Sequence, residues 1–182
     1  MKTLKRRSDC ILFEPSSLPE LKDKIDIPQE MMEFYRLCGG GTLFFNSTRP
    51  IEILKPSEVI PANLVILGEE AYEELLLKEE NDISMKWYVV ARYDETEYVT
   101  IDFDQDRCGR CYDSFHETHA VAGSCEIIAL TFSEFLSNLL ETMTKTSDSL
   151  CRKNTILFNP LVDTIFVVYV ASHFVPLGSE TS

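Results

Sequence analysis

Apolar residues between positions 85 and 143 follow patterns that predict a run of strands and then a helix. Residues 87–91 are nearly all apolar, which is typical of a strand covered on both faces in the centre of a sheet. Residues 98–104 alternate between apolar and polar, so one face should lie on the core and the other in solvent. The predicted core face consists of Val99, Ile101 and Phe103, and the predicted solvent face consists of Tyr98, Thr100, Asp102 and Asp104.

The segments around these two strands complete a small sheet. A polar turn at residues 94–97 predicts a hairpin between them, and further strands are predicted at residues 110–115 and 126–130. Thr131 and Glu134 then match a capping box, in which each side chain accepts a hydrogen bond from a free backbone amide. The helix that follows should bury one stripe, made of Phe132, Phe135, Leu136, Leu139, Leu140 and Met143.

Two helices are predicted near the start of the chain. Apolar residues recur at helical spacing in residues 16–25 and again in residues 28–38. The glycines at positions 39–41 should end the second helix in a left-handed conformation. A phosphate-binding loop is not indicated, because such a loop leads into a helix and these glycines follow one.

The glycines lead into a second hairpin and then an acidic helix. Residues 42–45 and 51–54 predict two strands joined by a polar turn, followed by a loop or single helical turn at residues 55–58. Residues 68–81 predict a helix rich in glutamate, whose charge is explained by solvation and by the helix dipole. Its narrow buried face should contain Ala71, Leu75 and Leu76.

The predicted elements make an α+β fold with one mostly antiparallel, twisted sheet and flanking helices. A chain of 182 residues with 45% hydrophobic content can bury enough apolar surface for one domain, which is expected over residues 1–145. Residues 146–182 are expected to be a C-terminal extension. Its apolar segment at residues 165–171 is too short to span a bilayer and is predicted to be an appended strand or a poorly ordered tail.

The net charge of −13 narrows the choice of partner. Nucleic acids and anionic membranes would be repelled at long range, so neither is expected as a partner, whereas a basic protein would be attracted. Six cysteines are scattered through a chain that can form its own core, so a disulfide framework is unnecessary. A reducing, cytoplasmic location is therefore expected, and the oligomeric state is left open.

A zinc site is one interpretation of the cysteines and histidines near residue 110. Cys108 and Cys111 have the spacing of a zinc knuckle, and His116 and His119 follow within a few residues. The position where a further cysteine would stand is a valine, so His119 or Cys125 would have to complete the site. Free thiols in a reduced hairpin are the favoured interpretation, and no metal is predicted.

Alternating carboxylates at Asp102, Asp104 and Asp106 allow two further metal hypotheses. A calcium loop would need glycine at its sixth position, where Arg107 stands. A metal-dependent hydrolase with Asp102 and Asp104 as its carboxylate pair is the other. A hydrolase of the catalytic-triad class is not indicated, because the sequence has no G-x-S-x-G motif to hold its nucleophile. A solvated acidic rim is favoured, with no catalytic residue and no cofactor.

The order of elements resembles the SUKH superfamily, which includes the yeast Smi/Knr cell-wall assembly regulators and many bacterial immunity proteins. The resemblance covers residues 18–143 and rests on diffuse apolar and glycine patterns at residues 27–35, 39–40, 87–90, 101–104 and 130–136. It implies an α+β domain with a mostly antiparallel sheet. It also implies a binding role, since bacterial members are thought to cover toxins, often nucleases.

The sequence therefore leads to three hypotheses of function. The first is a non-enzymatic immunity protein that binds a basic toxin domain, such as a nuclease, through an acidic surface. The second is a scaffold or regulator in cell-wall or stress signalling, and the third is the hydrolase at Asp102 and Asp104. The partner-binding residues predicted for the first hypothesis are Asp94, Glu95, Glu97, Tyr98, Asp102, Asp104 and Asp106.

Overall fold

Among the described residues, seven antiparallel strands form one sheet, and their order in space follows their order along the chain. The computed structural model describes residues 9–21, 25–78, 82–121 and 123–147. The strands are β1 (Cys10–Leu12), β2 (Gly41–Leu43), β3 (Ile51–Ile53), β4 (Trp87–Arg92), β5 (Glu97–Asp102), β6 (Cys111–Phe115) and β7 (Ile127–Ala129). The predicted α+β fold with an antiparallel sheet is confirmed, and the strand predicted at residues 87–91 lies in the centre of the sheet, as expected.

Two helices cover one face of the sheet, which we call the first face. They are α1 (Gln29–Leu37) and α4 (Phe132–Ser147), and they meet where the rings of Phe34 and Phe132 pack edge to face with centroids 5.4 Å apart. Both helices were predicted from their apolar spacing, because one stripe of each must be removed from water against the sheet. The largest fully buried side chains under them include Met31, Tyr35, Leu43, Ile51, Ile53, Ile101 and Leu136.

The glycine run after α1 permits close backbone packing. A side chain at Gly40 would place its Cβ 2.5 Å from the carbonyl oxygen of Ile53, and the backbone there has φ of +97°. A Cβ at Gly39 would lie 2.3 Å from the carbonyl oxygen of Glu14. The predicted left-handed end of the helix was wrong, because α1 ends at Leu37 and its C-cap, Cys38, is extended with φ of −152°. The glycines instead let β2 approach its neighbours.

The other face of the sheet, which we call the second face, is covered by the short helix α2 (Ala62–Ile66). Ala62 and Ile66 pack against a cluster that contains Leu54, Trp87, Val89, Tyr98 and Tyr112. The ring of Trp87 stacks on that of Tyr112 with centroids 4.1 Å apart. The prediction of a solvent-exposed face on β5 was therefore wrong.

The polar side chains that alternate along β5 are buried on this second face of the sheet. Tyr98 is 9% exposed, and Thr100 and Asp102 are fully buried. The hydroxyl groups of Thr100 and Ser114 form a hydrogen bond of 2.9 Å across the β5–β6 pair, which offsets the cost of burying both. The alternation of apolar and polar residues correctly separated the two faces of the strand, but both faces are buried.

The helix predicted at residues 16–25 was also wrong. Residues 13–21 have no regular secondary structure. Pro19 stands inside the predicted helix, where its ring removes a backbone donor and restricts Leu18 to extended conformations. Apolar spacing alone did not outweigh that restriction.

A third small helix, α3 (Glu69–Leu77), follows α2 after the single turn at Gly68. This is the acidic helix predicted from residues 68–81, but its buried side differs from the prediction. Tyr72 is its buried residue, Ala71 and Leu75 are half-buried, and Leu76 is 50% exposed. A five-residue α2 with no periodicity of its own could not be predicted, so the surface against which α3 packs was unknown.

The cap of α4 forms as the capping box predicts, with one shift. The Thr131 hydroxyl accepts a hydrogen bond from the Glu134 amide at 3.0 Å. The Glu134 carboxylate accepts one from the amide of Leu130 at 2.8 Å, one residue before the cap. The helix continues to Ser147, and the predicted extension beyond it, with the apolar segment at residues 165–171, lies outside the described residues.

Replacing Thr131 by alanine should lower the free energy of unfolding by about 1 kcal/mol, because the first turn of α4 loses a capping acceptor. Urea unfolding followed by circular dichroism would measure the change. Thr131→Ser keeps the hydroxyl and should remain close to the wild type. Equal stability of Thr131→Ala and the wild type would contradict the role given to the cap.

Candidate functional site

Asp102, which was predicted to face a partner, holds the centre of the sheet together instead. Its Oδ2 accepts hydrogen bonds from the indole Nε1 of Trp87 at 3.0 Å and from Nε of Arg107 at 2.7 Å. Its Oδ1 accepts the backbone amide of Asp104 at 2.8 Å. A fully buried carboxylate requires such partners, so Asp102 is not available for direct contact with another molecule.

The acidic turn after β5 is neutralised by its own neighbours. Asp104 lies 2.9 Å from Nζ of Lys86 and 3.5 Å from a terminal nitrogen of Arg107. The hydrogen bond from Lys86 is the main reason that the pKa of Asp104 is lowered, and the bond to Asp102 raises the pKa of Arg107. Asp106 is exposed and donates its backbone amide to Asp104.

The residues of the zinc hypothesis are kept apart. Cys111 is buried in β6, where its thiol contacts the carbonyl of Gly109 at 3.6 Å, while Cys108 is exposed in the preceding turn. Burial raises the pKa of both thiols, which disfavours the thiolate that zinc requires. Among the residues that the structure describes, no three Cys, His, Asp or Glu side chains come together as a metal site.

The hairpin between β4 and β5 is a rigid, exposed acidic turn. Oδ1 of Asp94 accepts hydrogen bonds from the amide and hydroxyl of Thr96 at 2.7 and 2.9 Å and from the amide of Glu97 at 3.0 Å. The bonds from Thr96 lower the pKa of Asp94, so its carboxylate stays charged. Tyr98 anchors the turn from below, since its hydroxyl donates to the carbonyl of Glu95 at 2.6 Å.

An aromatic side chain that the sequence analysis did not select lies beside this turn. Phe115 stands directly opposite Glu97 in the β5–β6 pair and is 36% exposed. The amide of His116 donates to the carbonyl of Thr96 at 2.9 Å and joins the two chain segments. Strand alternation places Phe115 on the same face as Cys111 and Asp113, four and two residues earlier, but Cys111 is buried, so alternation alone does not predict that Phe115 is exposed.

We call the resulting patch the hairpin surface. It consists of Asp94, Glu95, Glu97, Asp113, Phe115 and Glu117. Glu97 forms an ion pair with Arg49, whose guanidinium also lies over the ring of Tyr93 at 4.4 Å. Within the part of the chain that the structure describes, the other four carboxylates of the surface form no ion pair.

The seven predicted partner-binding residues do not form one surface. Asp94, Glu95 and Glu97 lie at the hairpin end of β5, while Asp104 and Asp106 lie beyond its other end. The strand between Glu97 and Asp102 spans about 17 Å at the usual rise per residue. Tyr98 and Asp102 lie between the two groups and are buried.

The loop beside the hairpin surface is fastened to α2 by a buried polar chain. His119 is 3% exposed, and its Nε2 lies 2.8 Å from Oδ1 of Asn63. The amide nitrogen of Asn63 donates to the Ser84 hydroxyl at 3.0 Å, and that hydroxyl donates to Asp82 at 2.6 Å. His119 must therefore donate through Nε2, which leaves Nδ1 as a lone-pair acceptor with no partner among the described residues.

Comparison with known proteins places this fold in a family. Residues 20–138 match the SMI1 / KNR4 family (SUKH-1), a range that includes β2 to β7, the first three helices and the start of α4. The chain belongs to this family. The resemblance drawn from the sequence is thereby confirmed.

A relative in Bacillus subtilis (strain 168) is named Immunity protein YokJ. It is 39% identical over 145 residues, which cover 80% of this chain and 83% of the relative. No solved structure matches the chain. In the part of the chain that the structure describes, no helix has both the length and the apolar character that a membrane crossing requires.

Replacing Asp102 by alanine should lower the free energy of unfolding by about 3 kcal/mol, because Arg107 and the Trp87 indole lose their buried acceptor. Asp106→Ala is the matched control in the same turn, and its exposed side chain should change stability by less than about 0.5 kcal/mol. Chemical unfolding measures both variants. Equal stability of the two would refute the role assigned to Asp102.

His119 should make stability fall in mild acid. Burial lowers its pKa from 6.5 to about 4, so the folded chain resists a proton that the unfolded chain accepts. Above pH 6.5 the imidazole is neutral in both states and costs no stability. As the pH falls from 6.5 towards 4, the free energy of unfolding decreases, by roughly 3 kcal/mol in total. The free energy of unfolding, measured by denaturant titration at several pH values in that range, should depend more steeply on pH in the wild type than in His119→Gln. Identical slopes in the wild type and His119→Gln would contradict the assignment.

Proposed function

We propose that this chain is an immunity protein that binds and neutralises a cognate toxin domain, a basic nuclease, through the hairpin surface. The observation that carries the choice of surface is the placement of Phe115 among carboxylates at a turn that Asp94 holds rigid. The immunity role is supported by family membership and by the name of the relative.

The charge of the chain supports the proposal of a basic partner. The chain has a net charge of −13, and the hairpin surface groups five of its carboxylates around one aromatic ring. Opposite charge on a partner would speed the encounter and exclude acidic competitors, while an aromatic side chain buried at the centre would slow dissociation. Nucleic acid and anionic membranes would be repelled by the same field.

We infer that the chain acts by binding and not by catalysis. The carboxylate pair of the hydrolase hypothesis is used structurally, since Asp102 is fully buried and bonded and Asp104 is paired with Lys86 and Arg107. A rigid turn is suited to recognition because little conformational entropy is lost when it binds. Neutralisation would then consist of covering the toxin's functional surface.

The scaffold or regulator hypothesis differs from immunity in its partner. A scaffold needs no basic partner, whereas every charged residue of the hairpin surface is a carboxylate. A toxin domain encoded beside the gene of this chain would support immunity. Its absence would favour a regulator.

Reversing charge on the hairpin surface should slow association with the toxin domain. The double variant Glu95→Lys and Glu117→Lys should reduce the association rate by about tenfold at low salt and flatten its salt dependence. Stopped-flow mixing with an inactivated toxin domain, over rising salt, would measure both. Asp94 is left unchanged because it holds the turn.

A matched control has the same kind of charge change at the opposite end of the sheet. Glu14 is exposed there, and Glu14→Lys should leave the specific docking step nearly unchanged. Phe115→Ala should speed dissociation, while Phe45→Ala, of similar exposure in another turn, should not. An association rate that changes neither with salt nor in the charge-reversal variant would contradict the hairpin surface as the binding site.

A further inference from the structure

The helix α3 exposes leucines in a way that the fold does not require. Leu77 is 82% exposed and Leu76 is 50% exposed, while Tyr72 supplies the buried contact of the helix with the rest of the protein. The helix packs on α2 and is joined to it at Gly68, whose backbone has φ of +91° and whose surroundings are open. The outer side of α3 is therefore an exposed helix face at the periphery of the part of the domain that the structure describes.

Helical geometry places the exposed leucine in a row of carboxylates. Glu70, Glu73 and Glu74 precede Leu77 by seven, four and three residues, which brings all four onto one side of the helix. Leu76 borders this side beside Glu69 and Glu73. The helix dipole favours the glutamates of the first turn, but it gives no reason for two leucines in water at the other end.

We propose that this face of α3, with Leu76 and Leu77 as its apolar anchors, docks on the toxin domain in an apolar depression ringed by lysine or arginine side chains. The inference rests on the proposed function and adds a second contact element to it. Charge complementarity identifies the occupant, because the glutamates beside the leucines need cationic neighbours when water is removed. Apolar anchors enclosed by a polar rim are the usual arrangement of a protein interface.

A second copy of this chain fits the face poorly. Two α3 helices in contact would oppose eight glutamates at positions 69, 70, 73 and 74, on molecules that each have a net charge of −13. Like charges across an interface are repulsive, and this repulsion would be strongest where the leucines would have to meet. A basic partner has no such conflict.

The test compares a leucine variant with a matched control in binding to the inactivated toxin domain encoded beside the gene. The double variant Leu76→Gln and Leu77→Gln should raise the dissociation constant by about tenfold or more, through faster dissociation. Leu130→Gln alters a leucine that is 60% exposed at the start of α4 and should bind as the wild type does. Glu70→Gln with Glu74→Gln should instead slow association.

Folding is controlled within the same series. Glutamine has nearly the helix propensity of leucine, so circular dichroism and unfolding midpoints should not change. If the double variant is unstable, Leu77→Gln alone replaces it, since that side chain contributes little to packing. Unchanged affinity in a folded leucine variant would overturn the inference about α3 and leave the proposed function standing.

Two other results would also overturn the inference. No binding of the toxin domain by the wild-type chain would overturn both the docking of α3 and the proposed function. Sedimentation of the wild type as a dimer that Leu76→Gln and Leu77→Gln convert to a monomer would assign the face to a second copy. The three results differ in their readouts, so they can be told apart.

Discussion

The buried carboxylate of Asp102 is the interaction on which the centre of this protein depends. A charge on the fully covered strand β5 is tolerated only because Trp87, Arg107 and the backbone of Asp104 all donate to it. These bonds connect β4 to β5 and fix the start of the turn that leads to β6. The same bonds place Arg107 beside Asp104, so the acidic turn is neutralised as it forms.

This arrangement gives the two ends of the sheet different electrostatic character. At one end, Lys86 and Arg107 compensate the carboxylate of Asp104. At the other end, Asp94 uses its carboxylate to brace the hairpin, and the neighbouring acidic side chains extend into solvent around Phe115. We propose binding at the second end, because a charge that is already paired contributes little to attracting a partner. The hairpin end therefore keeps most of its acidic charge unpaired, since of its carboxylates Glu97 is the one joined to a cation, Arg49, among the described residues.

Elements could be predicted from the sequence where a short segment contains its own signal. The capping box at Thr131 and Glu134 and the apolar stripe of α4 located that helix at its first residue. The apolar run at residues 87–91 correctly indicated a strand covered on both faces. The helix predicted at residues 16–25 was wrong because Pro19 outweighed apolar spacing. The exposed face predicted on β5 was also wrong, because Asp102 and Tyr98 are buried. Phe115 was missed because its exposure depends on where α1 and α4 end across the sheet.

The sequence by itself determined the elements with strong periodicity, the antiparallel fold class and the acidic character of the surface. Each of these follows from residues that are neighbours along the chain, since helix and strand patterns and total charge need no knowledge of distant contacts. Only the tertiary structure decided which polar residues are buried. α2 lies far from β5 in the chain and has no period of its own, yet its packing on the second face turned a predicted binding surface into core. It also left α3 at the periphery with Leu77 in water, because burial is set by what packs on a segment and not by the segment alone.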